Sequence, residues 1–402
     1  MRPFTSVISL EDARRALESA VVPIARTERV SLAAASGRVA ASESASEIDV
    51  PPFARSAMDG YAVLARDTSA ASRTTPVRLR IVERIFTGQM PSTSVAPGTC
   101  AEIATGAPVP PGADAVVMVE ETAPAGDAEV SILASAAAGQ NISPRGADIG
   151  RGTSVVKRGD LLTPSRIGAL AAIGRTDVDV FAKPRVAILS TGNEIVEPGE
   201  VLAGGQIYDV NRFTLGAIVS AHGGVPEPQP AVADTLEALV GALDRLKGAD
   251  IVVFSGGSSV GERDLILDVV AARGEMIFHG VAIKPGKPTA FARIAGTPFF
   301  GMPGNPTSCL SNAYVLLVPF LRATARLPPH SPRTVRLPLG RRIASASGRH
   351  TFYTVRIEGG KAVPAFKGSG AITSLSQADG YVELPAGQDL VEDGTVVDVT
   401  LF

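Results

Sequence analysis

Three segments that could bind phosphate lie close together in the chain: Ser255-Gly256-Gly257-Ser258-Ser259-Val260-Gly261, Ile283-Lys284-Pro285-Gly286-Lys287-Pro288 and Gly301-Met302-Pro303-Gly304-Asn305-Pro306. Glycines allow backbone N–H groups to approach phosphate oxygens, and a helix that follows adds its positive end. Lys284 and Lys287, held between prolines in a glycine turn, would act as point charges on the same anion. A phosphorylated small molecule is the first ligand class this pattern suggests. Glu194 and Asp264, each just past a strand end, are the carboxylates best placed to offer oxygen ligands to a hard divalent cation beside such a phosphate.

These loops need elements to position them. The runs Ile251–Phe254 and Pro298–Phe300 read as buried strands of a parallel sheet, and the carboxyl ends of such strands are where open α/β sheets bind ligands. Around them the pattern alternates strand and helix: strand Val186–Leu189, helices over Asn211–His222 and Asp234–Leu246, and a helix near Asp264–Arg273. The apolar run Ile277–Ile283 follows, and a helix over Ser308–Ala323 comes after the last strand. Such alternation predicts a doubly wound three-layer domain. Upstream, Ser9 and Asp12 form a capping box for a helix to about Val21, with Leu10, Ala13, Leu17 and Ala20 on one face. From there to about Val180, short apolar runs at Val77–Val82, Cys100–Ala104, Ala115–Val119 and Val130–Leu133 alternate with turn residues, a β-rich texture. After Leu327-Pro328-Pro329 the texture returns to short strands, expected to form a small β barrel or sandwich.

Composition narrows the function classes. A chain of 402 residues is expected to form several domains, and 45% hydrophobic with 19% charged residues suits a soluble globular protein. A net charge of −2, no Trp and 5% aromatics argue against nucleic acid as a partner. Cys100 and Cys309 lack metal-type spacing and suit a reducing compartment. Charges at Glu11, Asp12, Arg14 and Arg15 interrupt any secretory h-region, and the run Tyr314–Leu321 is too short to span a bilayer. A cytoplasmic protein without membrane contact is expected. Gly280 and Gly286 are one residue too far apart for a P-loop, and His222, His279, His330 and His350 are too scattered for a histidine triad or metal site.

A set of motifs runs in order along nearly the whole chain. They are Pro51-Pro52-Phe53-Ala54-Arg55-Ser56-Ala57-Met58-Asp59-Gly60-Tyr61-Ala62, Thr105-Gly106-Ala107-Pro108-Val109-Pro110 and Gly139-Gln140-Asn141-Ile142. Ser190-Thr191-Gly192-Asn193-Glu194, Gly205-Gln206-Ile207-Tyr208-Asp209, Ser255-Gly256-Gly257, Lys284-Pro285-Gly286-Lys287-Pro288 and Pro303-Gly304-Asn305-Pro306 continue the set. Together they resemble the molybdopterin molybdenumtransferase (MoeA) family, which includes the gephyrin E domain. The resemblance implies a multidomain α/β protein. An elongated N-terminal domain would hold residues 1–50 and 145–180, and a β-rich second domain residues 51–144. An α/β molybdopterin-binding domain would span 181–327 and a C-terminal β barrel 328–402. It also implies a reaction in which adenylylated molybdopterin and molybdate give molybdenum cofactor and AMP with Mg²⁺. The implied assembly is a homodimer with a site shared between subunits; a molybdopterin adenylyltransferase and molybdoenzymes are implied as partners.

By motif position, Asp59, Thr105, Asp148 and Asp234 match polar residues the family places around its site, with Asp59 and Thr105 coming from the facing subunit. Ser255, Gly256, Gly257, Gly261, Lys284, Lys287, Pro303, Gly304, Asn305, Pro306 and Ser374 are the implied molybdopterin-binding set. Simpler readings stand beside these. Asp59 before Gly60 could form a turn, Asp264 could be a helix-start acid, Asp234 could be an N-cap, and Gly304-Asn305 could shape a turn without any ligand.

The chain departs from the implied pattern at basic positions. Ser143 follows Gly-Gln-Asn-Ile, Gly280 precedes Val-Ala-Ile-Lys, and Thr354 lies two residues after Phe352 of the Gly-Arg-x-x-Phe stretch. Asn193 stands where the resemblance implies Asp. Molybdate is a dianion, and two unit charges ~4 Å apart repel by on the order of 4 kcal/mol at an effective dielectric near 20. Arg145, Arg356 and Lys367 are the nearby cations that could compensate. A non-catalytic carrier, regulator or scaffold of the same family is therefore the alternative function.

Overall fold

Ser9 opens the first helix as its spacing predicts. Its Oγ accepts the amide of Asp12 at 3.0 Å, and α1 (Leu10–Ala20) turns Leu10, Ala13, Leu17 and Ala20 inward. That stripe joins a core built far along the chain, with Val219, Val281 and Leu317. This computed structural model describes residues 7–246, 248–256, 265–345 and 348–402. They divide into two units. One holds the N-terminal segment to Glu28, Gly37–Val39 and Val180–Phe402, and the other Arg29–Ser36 and Ala40–Asp179.

In the first unit the alternating pattern forms β1 (Arg185–Ser190), α2 (Asn211–Ala221), β2 (Val225–Pro228), α3 (Leu236–Arg245), β3 (Ile251–Ser255) and α4 (Leu265–Arg273). Then come β4 (Gly274–His279), β5 (Ala290–Ile294) and β6 (Thr297–Met302). The sheet order is β2-β1-β3-β6-β5-β4. Strands β2, β1, β3 and β6 run parallel, with Ser190 opposite Ser255 and Val253 opposite Phe300. Period-two alternation splits their apolar residues between two cores. Val186, Ile188, Val253 and Phe300 face α2 through Leu215 and Val219. Ala187, Leu189, Val252, Phe254 and Phe299 face α3 and α4 through Leu239, Ile266 and Val269. Burial on both faces is why these strands read as continuous apolar runs.

The expected pattern is modified in three places. Strand β5 pairs antiparallel with β6, and β4 pairs antiparallel with β5 in turn. The apolar run Ile277–Ile283 is not one strand, because it breaks at Gly280, whose φ of +101° favours glycine. Beyond the break, Ile283–Lys284 pairs with a strand of the C-terminal region instead. The helix expected over Ser308–Ala323 is interrupted: α5 (Pro306–Asn312) and α6 (Val318–Thr324) flank a π-turn at Ala313–Leu317. Pro319 explains the wide turn, since it lacks an N–H and its ring crowds the carbonyl of the preceding turn.

The C-terminal strands are β7 (Thr334–Pro338), β8 (His350–Glu358), β9 (Lys361–Pro364), β10 (Gly380–Leu384) and β11 (Val396–Leu401). They pair antiparallel in the order β9-β8-β10-β11-β7. The bridge between Leu339 and Ala362, with Gly340 N–H donating to Ala362 O at 2.8 Å, brings the end of β7 back onto β9 and closes a small barrel. Leu339, Val355, Ala362, Val382 and Val399 fill it.

In the second unit, the four apolar runs coincide with strands Val77–Ile85, Thr99–Ile103, Ala115–Met118 and Glu129–Ile132. With Gly60–Val63 and Thr122–Pro124 they form a six-stranded sheet. Among the described residues, no helix is long and apolar enough to cross a membrane.

Candidate functional site

The loops that leave β1, β3 and β6 open into a cleft of about 1110 Å³ in the first unit, slightly above the usual range for small-molecule sites. Its floor is tied together by Asn211 at the start of α2. The Asn211 amide donates to Ser255 Oγ at 2.7 Å and to Gly304 O at 2.8 Å, joining the loops after β3 and β6. Gly256 lets the first of these loops pass the β1 end. Its φ is +113°, and a Cβ there would lie 2.3 Å from Thr191 O. The first segment therefore needs glycine for backbone packing as well as for any anion.

One wall is the lysine loop. Gly286 has φ +101°, and its carbonyl accepts the buried Asn312 amide at 2.8 Å and the Thr289 hydroxyl at 2.9 Å. Lys284 and Lys287 both line the cleft from this loop. A second wall belongs to the C-terminal region and brings Arg349, Phe366, Ser369 and Gly370. It is stapled to α5: Thr307 N–H donates to Ser369 O at 3.0 Å and Thr307 Oγ1 to Ala371 O at 2.7 Å. Asn305 Nδ2 reaches Ser369 Oγ at 3.3 Å.

Acidic side chains occupy the β1 side. Glu194 and Asp234 line the cleft with Asp209. The Glu194 carboxylate folds over Gly192, where a Cβ would meet both its oxygens at 2.8 Å. Asp234 accepts from Thr191 Oγ1 at 3.2 Å, and its N–H reaches Asn193 Oδ1 at 3.4 Å. The plain N-cap role considered for Asp234 belongs instead to Thr235, which accepts from Ala238 N–H. Asp209, 3% exposed, accepts Arg212 N–H from the first turn of α2 at 3.1 Å. Among the described residues no three His, Cys, Asp or Glu side chains cluster as metal ligands. Mg²⁺ commonly needs one or two carboxylates beside phosphate oxygens and waters, so the hard oxygens of Glu194 and Asp234 suit it.

Of the candidate residues, Glu194, Asp234, Ser255, Gly256, Lys284, Lys287, Pro303, Gly304, Asn305 and Pro306 come together in this cleft. Gly257, Gly261 and Asp264 lie outside the described residues. Ser374 does not line the cleft. It is fully buried, and its hydroxyl braces the preceding loop by accepting Lys367 N–H at 2.9 Å. Asp59, Thr105 and Asp148 belong to the second unit. There, Asp59 Oδ1 accepts Thr105 N–H at 2.7 Å, so these two motifs meet directly.

The departures also resolve into geometry. Thr354 is 1% exposed and faces an aromatic nook of Phe352, Tyr314, Tyr381 and Phe402, away from the cleft. Gly280 is a left-handed backbone position where a lysine would be strained. Ser143 pairs directly across from Arg55, which sets a cation beside it. The compensating cations considered above are engaged elsewhere: Arg145 with Asp49 at 2.7 Å, and Arg356 with Glu358 at 3.1 Å. Lys367 binds Thr373 Oγ1 and Gln377 Oε1, each at 3.3 Å. Sequence reasoning assigned no site role to Asp209, Asn211, Arg349, Phe366 or Ser369. Asp209 carried a signal in the Gln206-Ile207-Tyr208-Asp209 motif; Phe366 and Ser369 carried none without the barrel.

Three family models cover most of the chain: "MoeA N-terminal region (domain I and II)" over residues 8–174, "Probable molybdopterin binding domain" over 187–323, and "MoeA C-terminal region (domain IV)" over 336–402. A Mycobacterium tuberculosis protein named molybdopterin molybdenumtransferase 2 is 35% identical, covering 90% of this chain and 91% of its own. A Haemophilus influenzae molybdopterin molybdenumtransferase is 32% identical, with 98% and 99% covered. Two crystal structures of molybdopterin biosynthesis MoeA proteins from Pyrococcus horikoshii superpose with TM-scores of 0.84 and 0.83. They are 40% and 31% identical and cover 98% and 99% of this chain, and 99% and 100% of their own.

Proposed function

Because the chain belongs to the MoeA family of molybdopterin molybdenumtransferases, we propose that it is the enzyme of molybdenum cofactor biosynthesis that moves molybdenum from molybdate onto adenylylated molybdopterin. In this reading the two dithiolene sulfurs replace two oxygens of molybdate, which leave as water with protons from the thiols and solvent, and a water molecule cleaves the phosphoanhydride so that AMP leaves. The observation that carries the reading is the charge arrangement of the cleft: Lys284, Lys287 and Arg349 on two walls, Glu194 and Asp234 on the third.

Each part of the cleft has a task in this chemistry. The lysine loop and the Pro303–Pro306 turn hold the pyrophosphate, because point charges and backbone N–H groups offset the repulsion between phosphates and oxyanion. Phe366 offers an apolar face to a flat heterocycle. The stapled Ser369–Ala371 segment keeps the far wall in place, which holds the reacting groups in register. Glu194 and Asp234 would hold Mg²⁺, which when bound neutralises charge on the phosphoanhydride. Asp59 and Thr105 are proposed to reach the cleft from a second copy of the chain in a homodimer.

AMP release from adenylylated molybdopterin, measured with Mg²⁺ and with or without molybdate, tests the reading. Molybdate-dependent release supports it. Tight binding with no release in either condition would instead identify a carrier. Glu194→Ala is expected to lower turnover at least a hundredfold with folding intact; unchanged turnover would remove Glu194 from the site. Activity regained on mixing inactive Asp59→Ala and Glu194→Ala proteins would support the shared site, and no recovery would count against it.

A further inference from the structure

We infer that Arg212, which stands outside the cleft lining, is the positioning residue that sets the two acids of the cleft, Glu194 and Asp234, for a divalent cation. The inference rests on the Mg²⁺ reading above and adds what holds its proposed ligands in place.

Arg212 sits in the first turn of α2, and its side chain is 11% exposed. A guanidinium at that depth needs its donors satisfied and its charge balanced. Its donors reach three separate stretches of chain. Nη2 donates to Glu197 Oε2, three residues beyond Glu194. Nη1 donates to Gln229 O at 3.2 Å, where the chain leaves β2 toward Asp234. Nε lies 3.7 Å from Oδ2 of the buried Asp209. The Phe213 ring lies against the guanidinium, with its centroid 5.1 Å away, and adds a cation–π contact.

Each contact leads to a cleft acid through a short run of hydrogen bonds. On the Glu194 side, Ile207 N–H donates to Glu194 O at 2.8 Å and Asp209 N–H to Val196 O at 3.0 Å. On the Asp234 side, Gln229 N–H donates to Ile188 O and Val232 N–H to Ser190 O, each at 2.9 Å. Thr191 Oγ1 then donates to Val232 O at 3.0 Å and to Asp234 Oδ1 at 3.2 Å. Two carboxylates facing one cleft repel each other, and octahedral Mg²⁺ tolerates little error in the position of its oxygens. One planar fork that ties both arms to α2 meets that demand, whereas a lysine in its place would supply charge without the three directed contacts.

Wild type, Arg212→Lys and Glu197→Gln, each checked for folding by circular dichroism and thermal melting, are compared in two measurements. Arg212→Lys keeps a charge beside Asp209 and loses the fork. Glu197→Gln, at the 45% exposed end of the contact, leaves the Asp209 pair intact and decides the matter if Arg212→Lys unfolds. Amide exchange over residues 194–209, read by mass spectrometry, is expected to quicken about tenfold in both variants with β1 and β3 unchanged. The Mg²⁺ concentration that half-saturates AMP release is expected to rise about fivefold, with the molybdate KM moved by less than about twofold. A merely structural role would lower Tm and kcat and leave the Mg²⁺ requirement where it was. Unchanged exchange overturns the inference, as does faster exchange with an unchanged Mg²⁺ requirement. If wild type releases no AMP, the functional reading has failed, and calorimetric titration of Mg²⁺ in the presence of inorganic pyrophosphate decides Arg212. Mg²⁺ binding weakened about fivefold in the variants supports the inference; binding that is equal, or absent from wild type, overturns it.

Discussion

Gly286→Ala tests how the lysine loop is held. A Cβ at Gly286 would lie 2.1 Å from Asn312 Nδ2, a contact no heavy atom tolerates. Asn312 is fully buried, and its amide donates to Gly286 O at 2.8 Å and to Thr289 Oγ1 at 2.5 Å. Alanine at φ +101° costs about 1–2 kcal/mol by itself. Displacing the Asn312 amide from its buried acceptors costs a further ~1–3 kcal/mol. The expected loss is therefore about 2–5 kcal/mol, which in a domain of this size lowers Tm by about 10 °C. Urea unfolding of Gly286→Ala, Asn312→Ala and the double variant checks the cause. With Asn312 truncated the clash is gone, so the glycine substitution should then cost only its backbone share, about 1–2 kcal/mol. Equal losses in both backgrounds, or none in either, would refute this account. Because Lys284 and Lys287 flank Gly286, the affinity for adenylylated molybdopterin should fall along with stability.

Other expectations concern separate parts of the molecule. Asp59→Asn keeps an acceptor for Thr105 N–H while removing the charge, and Asp59→Ala removes both. A turn-forming role predicts that only Ala costs stability, about 1 kcal/mol, with turnover retained in Asn; a charge role predicts that both variants lose turnover. His222 lies against His330 and Tyr314, with ring centroids 4.9 and 6.3 Å away. Burial, helped by the nearby His330 and Arg322, pushes its pKa down to about 4. The folded value lies below the ordinary one, so its contribution is complete above about pH 6.5 and is lost as pH falls toward 4. Melting curves between these pH values should show an acid loss that shrinks by on the order of 2 kcal/mol in His222→Leu; an identical acid loss in both proteins would contradict it. Gly256→Ala, whose Cβ would meet Thr191 O at 2.3 Å, should separate the β1 and β3 loops and weaken ligand binding at least tenfold by calorimetry.

Much of the architecture was legible because it is encoded locally. The Ser9 cap, the stripe Leu10–Ala13–Leu17–Ala20 and the apolar runs of β1, β3 and β6 each follow from a periodicity that neighbouring residues impose on one another. The phosphate-type loops were legible for the same reason: glycine and proline restrict their own backbone wherever they stand. Legibility failed where a residue's meaning depends on a distant partner. Strand β5 and the departure of Ile283–Lys284 from the sheet depend on pairings with β6 and β8, which no local pattern specifies. The π-turn was visible only as Pro319, whose effect on helix width needed the packed core to be expressed.

The same division applies to the cleft. Lysines, glycines and acids at motif positions were identifiable by type, and most of them meet in one place. Which charges face that place was decided by tertiary structure. Thr354 and Arg349 stand five residues apart in the same region of the sequence. One is turned by strand alternation to the outer face of the barrel, into an aromatic nook completed by Tyr314 of the π-turn, and the other is carried to the cleft by a parallel ladder to the lysine loop. Sequence by itself determined the family, the layers and the residue types available for chemistry, because those rest on composition, periodicity and local conformation. Tertiary structure alone decided which cations are committed to ion pairs and which line the cleft, because a side chain's charge acts over a few ångströms of space, and only the fold sets those distances.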